Sequence, residues 1–459
     1  MRVRSGIYRF FSGKRAKNLN ATKIIAMVFA LIILLGTLLL MLPVASRSGV
    51  SCGFRPALFT ATSATCVTGL VLYDTWTQWS GFGQAVIISL IQIGGLGFMS
   101  VATLVFFLFR RRVGLKQRMV MAQALSLNDM DGVVQLQKLV IGGSLTVEGI
   151  GALILTLRFL PEVGIRKALR WGIFHSISAF CNAGFDIFGS FAPGSSLIPF
   201  QSDPVVLLTL GALVVIGGLG FLVWQEIVNL RSFRKFSVYT KLVLVTTAVL
   251  LTVGAVLIAL LEWNNPATLG PMSVGDKLLN SFFQSVTTRT AGFVSVDQGA
   301  LTDAGKAVSI LLMLVGGSSG STAGGVKTVT VVVLLLFLWN RARGKGSVCV
   351  YRRTIPAGKV MDAMTIVMLV AGLAVLGAVF VCATSPMGFI DALYETASAI
   401  ATVGLTAGGT ANLHVAAQFL IIVYMYFGRV GVLTISLGFL MGNQAEERFE
   451  YAPTNLLIG

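Results

Sequence analysis

Eight long stretches of the chain carry almost no charge, and this feature limits the possible folds more than any other. Each stretch has about 20 residues or more, the number that an α-helix needs to cross the hydrocarbon layer of a membrane. Only 12% of all residues are charged, whereas a soluble domain has about 25%. The sequence therefore predicts an all-α polytopic membrane protein. The predicted spans cover residues 23–44, 82–109, 138–160, 204–228, 239–262, 304–340, 359–384 and 414–441.

Basic residues are distributed unevenly between the segments that join these spans. Of the 35 lysines and arginines, 24 lie at the amino terminus and in alternate loops, together with seven acidic residues. The opposite loops contain eight basic and ten acidic residues. Because the more basic side of a membrane protein faces the cytoplasm, both termini are predicted to be cytoplasmic. The net charge of +17 thus indicates membrane topology, and no nucleic-acid partner is predicted.

Four of the predicted outer loops share one pattern. Gly69, Gly184, Gly292 and Gly404 lie 115, 108 and 112 residues apart. An aromatic residue lies ten positions before each glycine and a large apolar residue follows it. A serine lies six positions before three of them, and Val286 takes that position in the third copy. Such a period predicts an internal repeat. The aromatic residues are Phe59, Phe174, Phe282 and Tyr394, and the serines are Ser63, Ser178 and Ser398.

These loops predict a central polar path. Each has roughly 10–14 apolar residues, too few to cross a bilayer but enough for a re-entrant half-helix. Non-helical backbone at membrane depth has to lie inside protein or beside a water-filled cavity. We therefore expect eight transmembrane helices and four pore half-helices, in four parallel span–re-entrant pore loop–span repeats around a pseudo-fourfold pore. The predicted segments are 1–22 (cytoplasmic), 23–118 (repeat 1), 119–235 (repeat 2), 236–345 (repeat 3, with an interrupted second helix), 346–445 (repeat 4) and 446–459 (tail).

The glycines are candidates for an ion selectivity filter. Glycine permits backbone angles that turn carbonyl oxygens inward, and such oxygens can replace the water around a desolvated monovalent cation. The alternative role is tight helix packing, which explains one or two copies more readily than four. The predicted filter residues are Thr65, Cys66, Val67, Thr68, Gly69, Cys181, Asn182, Ala183, Gly184, Thr290, Ala291, Gly292, Thr402, Val403 and Gly404.

Three stretches resemble the Trk/Ktr/HKT superfamily of potassium transporters: residues 287–293, the run from Gly316 to Lys327, and Gly428 followed by Arg429. The similarity covers nearly the whole chain and is greatest to the KtrB group, the membrane subunits of bacterial Ktr systems, whose tails resemble residues 451–459. It implies that potassium binds at the four glycines. Some relatives that favour sodium have serine in place of the first glycine, so Gly69 favours potassium.

The same resemblance implies partners. It predicts a homodimer docked on a cytoplasmic ring of nucleotide-binding RCK subunits (KtrA-like), and sodium stimulation of uptake, which many Ktr systems show. Nucleotide is not expected on this chain, since Val326 separates Gly325 from Lys327 and breaks the GxxxxGK[ST] spacing of a phosphate-binding loop.

Four ionisable residues lie at predicted membrane depth, where charge is costly and usually functional. Arg289 is interpreted as support behind the filter, bonded to carbonyls or to an acid, with direct control of ions as the alternative. The resemblance implies that Arg429 acts with an intramembrane gating loop; a kinked, packed helix is the alternative for that loop. No role is assigned to Glu148 or Lys327. The gate residues are Gly316, Gly317, Ser318, Ser319, Gly320, Ser321, Thr322, Ala323, Gly324, Gly325 and Arg429.

The predicted function is potassium translocation across the cell membrane through a channel-like pore. Since the predicted spans contain no convergent group of His, Asp and Glu residues, an enzyme is not expected. The alternative is a sodium-coupled secondary carrier of another class, which would be built from inverted repeats. Successive copies here keep the same order of span, loop and span, and this order favours the pore.

Overall fold

The computed structural model describes residues 21–97 and 132–431, and these residues form fourteen α-helices and one short β-hairpin. Parts of the predicted spans 82–109 and 414–441, and all of the predicted 446–459 tail, lie outside the described residues. The helices are α1 Ala21–Leu40, α2 Phe54–Thr65, α3 Thr75–Gln78, α4 Gly81–Leu96, α5 Val133–Phe180, α6 Pro204–Leu219, α7 Phe221–Leu230, α8 Val238–Glu262, α9 Val274–Thr287, α10 Asp303–Leu314, α11 Thr328–Ala342, α12 Ala357–Thr384, α13 Phe389–Ile400 and α14 Val415–Val430.

Four short 3₁₀ segments and a hairpin complete the described elements. Strands β1 (Val348–Val350) and β2 (Arg353–Ile355) pair antiparallel, with Val348 opposite Ile355. The hairpin follows α11 and precedes α12, within the predicted cytoplasmic connection. The 3₁₀ segments are Pro43–Ala45, Ile198–Phe200, Phe233–Lys235 and Thr410–Asn412.

Four described helices are long and apolar enough to cross a membrane, and a fifth span results if α6 and α7 count as one. The long helices are α1, α5, α8 and α12, whereas α4, α11 and α14 are apolar but only 15 or 16 residues long. Helices α6 and α7 meet at an angle of 93°. The structure therefore shows several apolar spans, and the predicted run 204–228 is not one straight helix.

The interruption expected only in the third repeat has counterparts elsewhere. Helices α4, α6 and α14 each end two residues after the first glycine of a G-x-x-G sequence. The last glycine of that sequence, Gly97, Gly220 or Gly431, caps the helix with a positive φ. The corresponding helix of the third repeat ends at Leu314, before a long non-helical loop. The sequence contained this signal, because residues 94–97, 217–220 and 428–431 read GGLG, GGLG and GRVG.

Short helices lie at the centre of the molecule. Helices α2, α9 and α13 have 12 to 14 residues, and α5 has a non-helical residue at Gly164 that separates its last part from its long first part. Each overlaps a segment predicted to be a half-helix. Along the carboxyl-terminal half of each short helix most side chains are buried, because the longer helices surround them.

The packing of these helices closes on itself. Helix α6 packs against α9, α10 against α13, and α14 against α2, while α4 packs against α5. The second helix of each predicted repeat thus contacts the following repeat, and the fourth contacts the first. This arrangement brings the carboxyl-terminal ends of the four short helices, and the glycines after them, toward one another.

Candidate functional site

Four glycines meet at the centre of this arrangement. Gly69, Gly184, Gly292 and Gly404 have φ values of 101°, 68°, 79° and 94°, angles that residues with a Cβ atom rarely adopt. A Cβ atom added to any of them would lie less than 3.0 Å from the carbonyl oxygen of the residue just before the next glycine. In chain order these contacts join the first copy to the second, the second to the third, the third to the fourth and the fourth to the first. The contacted oxygens belong to Ala183, Ala291, Val403 and Thr68.

We call these four glycines and the other eleven predicted filter residues the glycine ring. All fifteen residues that the sequence predicts as a filter are buried. The large apolar residue after each glycine is at most 1% exposed, so it anchors the ring in the surrounding core. These anchors are Leu70, Phe185, Phe293 and Leu405.

A second backbone feature recurs in the ring, and no residue type in these positions predicts it. The residue two positions before each glycine also has a positive φ, although none of these residues is glycine. Such a conformation costs about 1–3 kcal/mol and persists only where surrounding structure enforces it. In three copies the next amide donates to the carbonyl of the serine five residues earlier, each at 2.8 Å. The residues with positive φ are Val67, Asn182, Thr290 and Thr402.

Hydroxyl groups hold the ring from behind. The Ser63 Oγ accepts a hydrogen bond from the Gly69 amide at 3.1 Å, and the Ser398 Oγ accepts one from the Gly404 amide at 3.0 Å. Ser178 instead donates its hydroxyl to the Phe185 carbonyl at 2.6 Å. A hydroxyl bond to backbone beside the glycine is therefore common to these three copies.

The third copy reaches the same result by a shift of one residue. Val286 has no hydroxyl, but the neighbouring Thr287 donates to the Phe293 carbonyl at 2.7 Å. Thr287 lies five residues before its glycine, whereas the serines of the other copies lie six residues before theirs. Because one residue turns a helix by about 100°, the inward position moves from Phe282, which is 37% exposed, to the buried Phe283. Phe283, and not the aligned Phe282, is therefore the buried aromatic residue of this copy.

Glycines of the following helices contact the ends of the short helices. A Cβ atom on Gly94, Gly217 or Gly428 would collide with the carbonyl oxygen of the last residue in α2, α5 or α13. These glycines open the three G-x-x-G sequences described above. The close approach therefore places the ends of helices α4, α6 and α14 directly beside the glycine ring.

Residues 315–327 form a non-helical loop between α10 and α11, which we call the inner loop. A parallel bridge between Val315 and Val326 closes its base. Two of its contacts lie beside the ring, at the ends of α5 and α13. The Thr322 hydroxyl donates to the Phe180 carbonyl at 3.1 Å, and Gly325 lies against Ala401. The inner loop also bonds to the junction of α6 and α7, where the Phe221 amide donates to the Gly320 carbonyl at 2.8 Å. Ten of the eleven residues of the predicted gate lie in this loop, and the eleventh, Arg429, lies in α14.

Three basic side chains contact the inner loop. The Arg429 guanidinium donates to the carbonyl of Thr322 and to those of Gly94 and Gly95, the last at 3.0 Å. The Lys327 Nζ donates to the Ala323 carbonyl at 2.8 Å. Arg429 occupies the second position of its G-x-x-G sequence, which is glycine in the first two predicted repeats. Its bonds therefore link the fourth predicted repeat to the first and the third.

Arg289 contacts the base of the same loop. Its Nη2 donates to the Gly316 carbonyl at 3.3 Å and to the Thr328 hydroxyl at 3.2 Å. Among the described residues, none of the ion pairs includes Arg289, Lys327 or Arg429. Of the two partners expected for Arg289, a carbonyl is present and an acid within 4.0 Å is not, in this part of the chain.

Glu148 has a neutral partner. The Gln92 Nε2 donates to both carboxylate oxygens of Glu148, each at 3.1 Å. The Gln92 Oε1 accepts a hydrogen bond from the Cys181 Sγ of the glycine ring at 3.6 Å. Gln92 was not among the candidates from the sequence. The only signal for it was a polar residue within a predicted span.

Comparisons with known proteins agree on one family. Residues 12–450 match the family model of TrkH, described as a cation transport protein. The chain is 40% identical over 427 residues to the Ktr system potassium uptake protein B of Bacillus subtilis, covering 93% of this chain and 94% of the relative. It is 38% identical over 448 residues to the potassium/sodium uptake protein NtpJ of Enterococcus hirae, covering 96% and 98%.

A solved structure has the same fold. The potassium transporter TrkH from Vibrio parahaemolyticus matches with a TM-score of 0.72 and 17% sequence identity, covering 95% of this chain and 88% of that one. At this identity the match supports the fold alone.

Proposed function

The chain belongs to the TrkH family of cation transport proteins, and from this premise we propose that it conducts potassium across the cell membrane through a selective pore. It is a multi-pass membrane transporter and not an enzyme. The proposed architecture is four parallel repeats of span, re-entrant loop and span around a pseudo-fourfold axis, with the glycine ring on that axis and both termini in the cytoplasm. Membership of this family leaves the alternative of a sodium-coupled carrier of another class without support.

The observation that carries the proposal is the closed ring of four glycines. Each glycine lacks a side chain where one would strike the backbone of the next copy. Backbone carbonyls that surround a path can replace the hydration shell of a potassium ion. The hydroxyls of Thr65, Thr68 and Thr402 add oxygen atoms that are buried without a hydrogen-bond partner in the described part of the chain. We propose that the fifteen ring residues form the filter.

The inner loop is the proposed gate. It lies directly against the ends of two short helices that lead into the glycine ring, so it can block the path below the ring. Arg429, Lys327 and Arg289 hold it through its backbone carbonyls. These bonds keep basic side chains turned toward the loop, and we assign Arg289 to support of the ring and loop rather than to direct control of ions.

We also propose that regulation comes from partners. A homodimer docked on a cytoplasmic RCK ring would bind nucleotide outside this chain and move the inner loop from below. The relative from B. subtilis is named as component B of a Ktr system, which supports a second component. The name of the relative from E. hirae includes sodium, which supports sodium as a second ion to test.

Growth of a potassium-uptake-deficient bacterium at low external potassium tests the proposal. The chain should restore growth, and co-expression of an RCK subunit should increase the uptake rate. Gly292→Ser should reduce the preference for potassium over sodium, because the added side chain strikes the Val403 carbonyl. Gly142→Ser is the matched control, since a Cβ atom at Gly142 meets nothing within 4 Å. Uptake by the Gly292 variant with unchanged ion preference would contradict the filter.

A further inference from the structure

A cluster of basic side chains surrounds Trp76 on the predicted outer face, far from the inner loop in sequence. The Arg47 guanidinium lies 4.5 Å from the centre of the Trp76 ring, the Arg170 guanidinium 5.6 Å and the Lys167 Nζ 5.8 Å. We call these four residues the tryptophan cluster. The three cations come from two separate segments, the loop after α1 and the last part of α5. Cations within about 6 Å of an indole ring are attracted by its π face.

The positive charge of this cluster is not neutralised by acids among the described residues. Arg47, Lys167 and Arg170 belong to none of the ion pairs in that part of the chain. The hydrogen-bond partner of Arg170 is the neutral Gln84, whose Oε1 lies 2.6 Å from Nη2. Three like charges around one ring repel one another, so an anion among them would be stabilised.

The acid closest to Trp76 in sequence is already occupied. The Asp74 Oδ1 accepts hydrogen bonds from the amides of Trp76 and Thr77, at 3.0 and 2.8 Å, and its Oδ2 accepts one from the Gly194 amide at 3.0 Å. Its carboxylate therefore caps helix α3 and holds a loop. It does not pair with the cations over the neighbouring ring.

An apolar groove begins beside the same cluster. It lies between α1 and α4, has a volume of about 410 Å³, and extends from Phe82 to Ile93 along α4. At a rise of 1.5 Å per residue this length is about 16 Å. One end of the groove is close to the cluster along α4, because its lining residue Phe82 follows Gly81, where a Cβ atom would lie 3.5 Å from the Arg170 Nη2. Leu169, next to Arg170, is 50% exposed and marks an apolar surface at the same level.

We propose that this is a binding site for an anionic phospholipid, whose phosphate lies among Arg47, Lys167 and Arg170 and whose acyl chain lies in the groove between α1 and α4. Guanidinium groups bind phosphate through paired hydrogen bonds, and tryptophan is favoured at the boundary between headgroups and hydrocarbon. Basic groups at this boundary attract anionic lipids. The proposal is independent of the ion that the protein conducts.

Native mass spectrometry of the purified chain tests this site, with phosphatidylglycerol, phosphatidylcholine and inorganic phosphate as separate probes. We expect phosphatidylglycerol to bind at least about tenfold more tightly than phosphatidylcholine. Replacement of Arg47, Lys167 and Arg170 together by Gln should remove this preference. The matched control replaces Lys345, Arg352 and Arg353 by Gln, which removes the same charge from exposed positions near the hairpin and should keep the preference.

Two further variants test the cluster and the groove separately. Arg47→Gln alone changes an exposed side chain, should leave folding intact and should weaken phosphatidylglycerol binding about threefold. Ala85→Trp fills the groove from an exposed position and should weaken binding of the lipid without altering the cluster. Equal binding of phosphatidylcholine, an unchanged preference in the triple variant, or an unchanged affinity in the Ala85 variant would overturn the proposal. Inorganic phosphate that competes fully with the lipid would make this a small-anion site and would also overturn it.

Discussion

The glycine ring and the inner loop are both polar backbone inside an apolar protein, but they are held in different ways. In the ring, each glycine lies against the main chain of the next copy, so its neighbours are atoms that cannot rotate away. The inner loop has main-chain bonds to the junction of α6 and α7, but its carbonyls also bond to the long side chains of Arg289, Lys327 and Arg429. Main-chain contacts fix a geometry, whereas side-chain contacts can be released by a change of rotamer.

This difference supports the different tasks that we propose for the two regions. A site that distinguishes potassium from sodium has to keep its carbonyl oxygens in place, and main-chain contacts such as those of the ring would do so. A gate has to move between two arrangements, as a loop rich in glycine and serine and bonded partly through long side chains could. Substitutions in the ring should therefore change selectivity, and substitutions at the loop contacts should change the rate.

The largest expected effect comes from Gly404→Ala. The added methyl group would strike the Thr68 carbonyl, and the residue would have to keep a φ of 94°. We expect the preference for potassium over sodium to fall at least about tenfold, equivalent to about 1.4 kcal/mol. Uptake of both ions into proteoliposomes measures this, with Gly142→Ala as the control. A variant that transports at the wild-type rate with full preference would contradict the role of the ring.

A smaller effect is expected when the inner loop is released. Arg429→Gln removes hydrogen bonds to Thr322 in the loop and to Gly94 and Gly95 in α4. Bonds to charged groups contribute about 1.5–3 kcal/mol, so flux should rise several-fold at unchanged ion preference. Deletion of residues 316–325 should raise flux further. Both are measured as initial uptake rates into vesicles.

The control for this prediction is Arg353→Gln, which changes an exposed arginine of the hairpin. A loss of flux in the Arg429 variant, with intact folding, would show that the loop supports conduction and does not block it. A change in ion preference would show that the loop and the ring share one task.

The smallest effect compares two neighbouring residues of α9. Thr287→Val removes the hydroxyl that bonds to the Phe293 carbonyl, and we expect it to reduce the ion preference two- to fivefold, the effect of about 1 kcal/mol. Val286→Thr restores the serine-like residue found in the other copies and should have less effect. The reverse order in transport assays would mean that the alignment on the glycine, and not the observed register of α9, describes the third copy.

The sequence was sufficient for the membrane class and for the positions of the four glycines. The glycines recur at a regular period because a side chain would not fit at their close contacts, such as that of Gly69 with Ala183. This period can be read from the sequence. It was also sufficient to place Arg429 beside the loop at 316–325, since both follow their glycines by about the same distance. These features depend on residue type and on spacing along the chain.

Other features depend on backbone geometry and on long-range contacts, which residue type alone does not predict. Val67 and Asn182 adopt positive φ because surrounding hydrogen bonds enforce it, not because of local preference. The one-residue offset in the third copy depends on the register of α9 relative to Gly292, which alignment on the glycines does not define. Gln92 could not be linked to Glu148 and Cys181, because residues far apart in the chain come together only after folding.

The most direct test of the ring as a potassium site is binding without transport. Thermal unfolding of the purified protein in detergent should be measured against KCl and NaCl at equal ionic strength, because a ligand that binds only the folded state raises its stability. We predict a midpoint that rises with potassium and rises less with sodium in the wild-type protein, and no difference between the ions for Gly69→Ser. Equal stabilisation of the wild-type protein by both ions would contradict the central claim.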